Sequence, residues 1–179
     1  MPVRVVVEAG PWRGVSRADV LRRAQAMLAA VQMPDAELSI LLTGDDQIQN
    51  LNRIYRKKNR PTDVLAFAQR EGLHGDQAGL LLGDVVVSVP TTRRQAEAAG
   101  RAVGAELTML LAHGLLHLLG WDHQTAREDR LMRRETDRLC AAADAGARQR
   151  GARTSRVKRR TRRAANGDSA PSKAARRRR

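Results

Sequence analysis

The chain has 179 residues, a formal net charge of +14 and one cysteine, Cys140. This length suffices for one domain with a hydrophobic core but not comfortably for two. A single cysteine excludes an intramolecular disulfide and a metal cluster built from several thiolates. The apolar run at the N-terminus is too short for a signal peptide, and no apolar segment approaches membrane-spanning length. We therefore expect a cytoplasmic protein without a membrane partner.

The positive charge is concentrated at the C-terminus. Residues 148–179 contain 14 of the 33 lysines and arginines and one acid, Asp168, so the rest of the chain is nearly neutral. Because this stretch has almost no apolar residues beyond alanine, it cannot bury enough surface to offset the entropy of ordering. We expect a folded domain at 1–146 and a disordered Arg/Lys-rich tail at 147–179. The tail either contacts RNA through phosphates or is a solvated extension that only keeps the protein soluble.

Hydrophobic periodicity predicts four strands and five helices. In chain order they are a strand at 2–8, a helix at 16–31, a strand at 37–42, a helix at 45–56, strands at 64–69 and 80–89, and helices at about 90–99, 105–119 and 125–145. The Gly-rich residues 71–79 are expected to connect two strands as a hairpin. This order predicts an α+β fold, in which a mixed four-stranded sheet is covered by about five helices.

The segment from His113 to His123 reads HGLLHLLGWDH and holds three of the four histidines. His113 and His117 are four residues apart, so on a helix both imidazoles project from one face. Gly120 can adopt the left-handed conformation that ends a helix, which lets the chain turn back and bring His123 to the same point. The pattern predicts that three imidazoles converge. The alternative is a set of core or interface histidines, each with its own hydrogen bond.

Three imidazole ligands leave a fourth position open, which is typical of a catalytic zinc site; structural sites usually have four protein ligands. We therefore predict one Zn²⁺ per chain in a zincin-like site, although nickel or another divalent transition metal can occupy the same ligands. Asp122 either holds an imidazole or fixes the turn before His123. His74, which stands alone in the Gly-rich connection, is not expected to be a ligand.

The ligand spacing H-x-x-x-H-x-x-G-x-x-H is also that of the metzincin proteases. Those enzymes place a glutamate after the first histidine as the general base. This chain has Gly114 there, which cannot accept a proton. The spacing alone therefore does not support a peptidase.

The histidine segment resembles the signature of the YbeY family, H-G-x-L-H-L-x-G-x-D-H, and two further regions resemble that family in the same order. The first match comprises His113, Gly114, Leu116, His117, Leu118, Gly120, Asp122 and His123. The second, upstream, comprises Asn52, Tyr55, Arg56, Pro61, Thr62, Asp63, Val64, Leu65 and Phe67, and the third is Leu82, Gly83, Asp84 and Val85. Departures are Lys57, Asn59, Ala66 and Ala68, where the family often has Gly, Asp, Ser and Pro.

The resemblance implies an rRNA maturation factor that cleaves single-stranded RNA at a zinc-dependent site. It implies action at the 3′ end of the small-subunit rRNA and in ribosome quality control, with the small ribosomal subunit and its assembly factors as partners. It also implies that Arg56 lines the catalytic cleft. A guanidinium can grip a phosphate with two parallel hydrogen bonds, which agrees with that role. Without the resemblance, Arg56 would be an ordinary solvated arginine.

Other side chains are candidates for contacts with RNA. The basic residues from Arg53 to Arg60, together with Arg93 and Arg94, could follow the RNA backbone. Base stacking could use Trp121 beside the predicted metal site, or the remaining aromatic residues Trp12, Tyr55 and Phe67. Trp121 is equally compatible with packing on the turn.

Two other functions are compatible with the sequence. One is a ribosome-associated, RNA-binding assembly factor in which zinc mainly stabilises the fold. The other is a metalloprotease whose general base comes from elsewhere in the chain. An open coordination position is compatible with either.

Overall fold

The computed structural model describes residues 3–69 and 80–165, with side chains as far as Gly146 in the last helix. The chain divides into two units, Met1–Ala147 and Arg148–Arg179; the predicted boundary lies one residue earlier. The first unit contains the sheet and every candidate site residue. Its elements, in chain order, are β1 (Val3–Val7), α1 (Arg17–Ala30), β2 (Glu37–Thr43), α2 (Asp45–Arg56), β3 (Val64–Ala68), β4 (Leu81–Ser88), α3 (Val89–Ala98), α4 (Val103–Leu118) and α5, which starts at Ala126.

The four strands form one mixed sheet in the order β1-β2-β4-β3. β1, β2 and β4 are parallel, and β3 runs antiparallel to β4 at one edge of the sheet. The predicted mixed four-stranded sheet with five helices is confirmed. The helix connections between parallel strands explain why most strands are apolar on both faces, as in β4, where Val85, Val86 and Val87 are all buried.

Helices cover both faces of the sheet. Val85 and Val87 pack with α1, α4 and α5 in the main hydrophobic core, whereas Val86 packs with Ile48 of α2 in a smaller cluster on the opposite face. This division follows from the alternation of side chains along a strand. As a result α2 and α4 lie on opposite faces of the sheet, and both approach it near its β3 edge.

α4 packs closely against the sheet at Gly114. A Cβ atom at this position would lie 2.8 Å from Cγ1 of Val85 and 3.3 Å from Cγ2 of Val64. The absence of a side chain therefore lets the helix backbone approach β3 and β4 directly. This close approach places the neighbouring His113 beside the edge of the sheet.

Two boundaries differ from their predictions. The fourth strand ends at Ser88, because the Ser88 hydroxyl accepts the backbone N–H of Thr91 and caps α3, with Pro90 in the first turn. The last helix continues to Ala165 and does not end near Ala145, since Ala, Arg and Lys favour helix even without an apolar stripe. α5 therefore continues through 147–165, the first part of the tail that was predicted to be disordered at 147–179. Residues 71–79 and 166–179 lie outside the described residues, so the predicted hairpin connection and the disorder of 166–179 stay predictions.

None of the helices in the described part of the chain is both long and apolar enough to cross a membrane.

Substitution of Gly114 by alanine is expected to destabilise the fold by about 1–3 kcal/mol, because the added methyl group overlaps the stiff, buried Val85 side chain. Gly104 in the first turn of the same helix is the matched control, since nothing lies within 4 Å of the point that a Cβ atom would occupy there. Gly104→Ala is expected to be neutral or to stabilise by up to about 1 kcal/mol. Urea unfolding of both variants measures the difference; equal stabilities would contradict the close packing at Gly114.

Candidate metal centre

Helix α4 and the turn after it bring the three predicted histidines together. His113 and His117 lie one turn apart on α4, and their Nε2 atoms are 3.2 Å from each other. Gly120 has a φ of +83°, and its N–H donates to the carbonyl of His117, so the helix ends there as predicted. The chain then reverses, and His123 reaches the other two rings.

The three imidazoles form a compact group. The ring centroid of His113 lies 4.7 Å from that of His117 and 5.5 Å from that of His123, and the third separation is 5.3 Å. One ring nitrogen from each residue can be chosen so that all three lie within 4.8 Å of one another. His113 and His117 are half-buried, and His123 is exposed. This arrangement could hold a metal ion with one side open to the solvent.

The surroundings of His113 and His117 favour neutral rings at these two residues. Burial, and then the neighbouring rings of His117 and His123, lower the pKa of His113. Burial and the proximity of His123 likewise lower the pKa of His117. Both imidazoles are therefore unprotonated at neutral pH, which is the form that binds a metal ion. A donor set of three imidazole nitrogen atoms fits Zn²⁺.

Asp122 fixes the turn that presents His123. One carboxylate oxygen accepts the backbone N–H of His123 at 2.7 Å, and the other accepts the side-chain amide of Gln124 at 2.5 Å. The hydrogen bond from the His123 N–H, followed by that from Gln124, lowers the pKa of Asp122. Of the two roles predicted for Asp122, the hydrogen bonds support the one in the turn.

A cleft of about 630 Å³ opens between the histidines and the edge of the sheet. Its lining includes the three imidazoles, Arg56 at the end of α2 and residues of the edge strand β3. Nη2 of Arg56 donates to the backbone carbonyl of Ala66 on β3 at 3.2 Å. α2 lies on the opposite face from α4, so Arg56 reaches the cleft across the β3 edge. The structure thus brings together all four residues that the sequence singled out.

The loop after Arg56 is held by Asn52, a buried residue that the sequence marks only as part of a motif. Its Nδ2 atom donates to the carbonyl of Arg60 at 2.7 Å, and its backbone carbonyl accepts the N–H of Lys58. Lys57 has a φ of +58°, so this lysine adopts the left-handed conformation that glycine takes at lower cost. The exposed Lys58 and Arg60 consequently line the cleft beside Arg56.

Asp63 is a second residue whose place in the cleft was not predicted. Its carboxylate accepts the backbone N–H of Val64 at 2.8 Å and the side-chain amide of Gln95 at 3.0 Å. Asp63 lies near enough to His113 for its charge to oppose, in part, the lowering of the histidine's pKa. The pairing with Gln95 crosses 32 residues, so no local pattern could have shown it.

Several predicted RNA contacts lie elsewhere among the described residues. Arg94 pairs with Asp45 at 2.8 Å, Arg93 donates to the carbonyl of Arg13, and neither lines the cleft. These two contacts join α3 to α2 and to the N-terminal segment. Tyr55 packs edge-to-face on Phe67 with centroids 5.0 Å apart, in a separate groove. Trp121, with 38% of its surface exposed, is the aromatic candidate that lines the cleft.

Replacement of His113 by alanine is expected to abolish stoichiometric zinc binding, because two imidazoles remain where three are needed. His74→Ala is the matched control and is expected to retain one zinc ion per chain. Metal analysis after dialysis against trace zinc measures both. Retention of zinc by His113→Ala, or its loss in His74→Ala, would show that the ligands are different.

Lys57→Gly is expected to stabilise the fold by about 0.5–1 kcal/mol, because glycine adopts the left-handed conformation without steric cost. This gain in stability is smaller than the strain energy of a lysine in the left-handed conformation, because glycine loses more conformational entropy on folding. Thermal unfolding measures the change, and Lys58→Gly, next to it but without a positive φ, is the control. A destabilised Lys57→Gly variant would contradict the conformation of this turn.

Several known proteins are similar in sequence to this chain. A family model described as "Endoribonuclease YbeY" matches residues 14–144. A protein of that name from Anaeromyxobacter sp. (strain Fw109-5) is 52% identical over 131 residues, which make up 73% of this chain and 67% of that protein. Another, from Anaeromyxobacter dehalogenans (strain 2CP-C), is 51% identical over 67% of this chain and 61% of its own length. The chain therefore spans a little under two thirds of the second relative.

The fold also has a solved counterpart. The solution structure of a protein from Thermotoga maritima has a TM-score of 0.57 and 22% identity, and the match covers 83% of this chain and 93% of that one. At this identity the likeness is one of fold alone. The family model, in contrast, extends from α1 through the cleft and all three histidines into α5. The resemblance predicted from the three motifs is confirmed, and the chain belongs to the YbeY family.

Proposed function

We propose that this chain is a zinc-dependent endoribonuclease that cuts single-stranded RNA in rRNA processing. The observation that carries the proposal is the placement of the three imidazoles and Arg56 in one cleft of about 630 Å³. The relatives named "Endoribonuclease YbeY" support it. Maturation of the 3′ end of the small-subunit rRNA and ribosome quality control are the proposed settings, with the small ribosomal subunit and its assembly factors as partners in the cytoplasm.

The histidines hold the metal ion, and the other residues bind RNA. His113, His117 and His123 are the zinc ligands. When bound, zinc supplies Lewis-acid activation of water or of the phosphodiester near neutral pH. The Asp122 turn keeps the exposed His123 in position, since its carboxylate holds the backbone N–H of that residue. A transition-metal ion other than zinc fits the same ligands, so metal analysis belongs with every assay.

Arg56 is the proposed catalytic residue. Its guanidinium lies in the cleft with one N–H bound to the Ala66 carbonyl, which leaves other N–H groups of the side chain for a phosphate. A positive charge at this position offsets the negative charge that develops on phosphate during cleavage. Lys58 and Arg60 add two further cations to the same cleft.

The remaining RNA contacts concern the bases and the tail. Trp121 lines the cleft beside the histidines and is partly exposed, so it is placed to stack on a base next to the cut phosphate. The basic residues at 147–179 are proposed to raise the affinity for RNA in a salt-dependent way.

The metalloprotease alternative is disfavoured by packing as well as by sequence. The position at which such a protease carries its glutamate is Gly114, and a Cβ there would lie 2.8 Å from Val85. A glutamate side chain would therefore meet the sheet, so the base is absent for a structural reason. The assembly-factor alternative shares the metal site and the cations, and it differs only in whether RNA is cut.

Cleavage of single-stranded rRNA at stoichiometric zinc separates these functions. Wild type is expected to cut; Arg56→Glu is expected to retain zinc and lose at least about a hundredfold in activity, because one charge-stabilising donor is removed and a repulsive charge added. His113→Ala is expected to lose zinc and activity together. Arg4→Glu, an equal charge reversal on the exposed face of β1 at the opposite edge of the sheet, is expected to cut like wild type.

Other outcomes contradict the proposal. Equal activity in all variants indicates a contaminating nuclease. Equal inactivity, with wild type binding both zinc and RNA, favours the assembly factor, in which His113→Ala lowers the melting temperature and RNA binding together. Zinc-dependent cleavage of casein by wild type, abolished by His117→Ala, would favour the metalloprotease alternative.

A further inference from the structure

The β3 strand has a free edge within the described part of the chain, and this edge faces the cleft. β3 is the last strand in the sheet order, and its register pairs Val64 with Val87 and Ala66 with Val85. The N–H of Ser88 donates to the carbonyl of Asp63, and the N–H of Gln69 to that of Leu82. Backbone pairs alternate in an antiparallel ladder. Hence the odd-numbered residues of β3 bond to β4, and the backbone groups of Val64, Ala66 and Ala68 point away from the sheet.

Two side-chain contacts confirm this direction independently. The Val64 N–H is accepted by the Asp63 carboxylate at 2.8 Å, and the Ala66 carbonyl accepts Nη2 of Arg56 at 3.2 Å. Both groups would be out of reach if they pointed toward β4. Since the N–H and the carbonyl of one residue project to the same side of a strand, the Ala66 N–H emerges on the side where Arg56 binds.

We propose that the backbone N–H of Ala66 is a phosphate-binding donor that acts together with Arg56. The two groups belong to the lining of the same cleft as the histidines. A backbone donor is fixed by the ladder bonds of its neighbours, so it loses no side-chain entropy when it binds. Arg56 contributes a positive charge, and the Ala66 N–H contributes a hydrogen-bond donor whose orientation is fixed. The inference rests on the proposed function, because the ligand that the two donors would bind is a phosphodiester of single-stranded RNA.

An extended peptide is the other ligand that a free strand edge can take. Strand addition needs the alternating N–H and carbonyl groups of the edge to be available. Here the Val64 N–H is occupied by Asp63 and the Ala66 carbonyl by Arg56, so a peptide would have to displace both. The three cations Arg56, Lys58 and Arg60 in the cleft also suit an anionic chain. The observations therefore favour RNA.

Proline at position 66 tests the donor. On an edge strand with an outward N–H, proline removes the donor without breaking a ladder bond. Gly104→Ala is the control, because it changes an open backbone position in the first turn of α4 that does not belong to the cleft lining. The probe is a short 2′-O-methyl oligouridylate, added to the zinc-loaded full chain. Ala66→Pro is expected to weaken its Kd about tenfold, as for loss of a hydrogen bond to a charged group, while Gly104→Ala binds like wild type.

A second measurement is independent of the variants. In isotope-labelled wild type, the Ala66 amide resonance is expected to shift on titration with the oligouridylate. If other cleft resonances shift and that of Ala66 does not, or if Ala66→Pro is folded and binds like wild type, the inference is overturned. It is also overturned if an uncharged extended peptide shifts the Ala66 amide and the oligouridylate does not. If the Ala66 amide responds to RNA that is never cut, the inference stands and the nuclease proposal fails.

Discussion

The site depends on how closely α4 approaches the sheet. At Gly114 the helix has no side chain, and its backbone packs directly against Val85 and Val64. A larger residue would lift the helix away from the β3 edge, and His113 and His117 with it. The same glycine excludes a glutamate base directly after the first histidine, because that side chain would need the space that Val85 fills. One packing constraint therefore positions the ligands and restricts the chemistry.

A second constraint is the position of β3 at the edge of the sheet. Among the described residues, β3 has a neighbouring strand on one side only. Arg56 of α2, on one face of the sheet, therefore reaches past β3 to the cleft beside α4, on the other face. The histidines and the arginine belong to elements on opposite faces, and they meet only at this edge. A hydrogen bond from Asn52 fixes the loop that follows Arg56, and Lys58 and Arg60 are therefore held at the cleft as well.

Local patterns predicted most of the elements and the convergence of the three histidines. Helical spacing and the glycine at 120 suffice to place His113, His117 and His123, because these residues lie within eleven positions of one another. The cap at Ser88 and the length of α5 were missed, since a single hydroxyl and helix propensity override the apolar pattern there. The contacts of Asp63 with Gln95 and of Arg56 with Ala66 depend on tertiary structure and strand register, which no short window of sequence contains.

The central claim is that three imidazoles hold one zinc ion and leave a position open. X-ray absorption at the zinc edge of the zinc-loaded full chain tests this most directly. We predict three imidazole nitrogen atoms at about 2.0–2.1 Å and a light, exchangeable fourth ligand. A sulfur scatterer from Cys140, or fewer than three imidazoles, would contradict it.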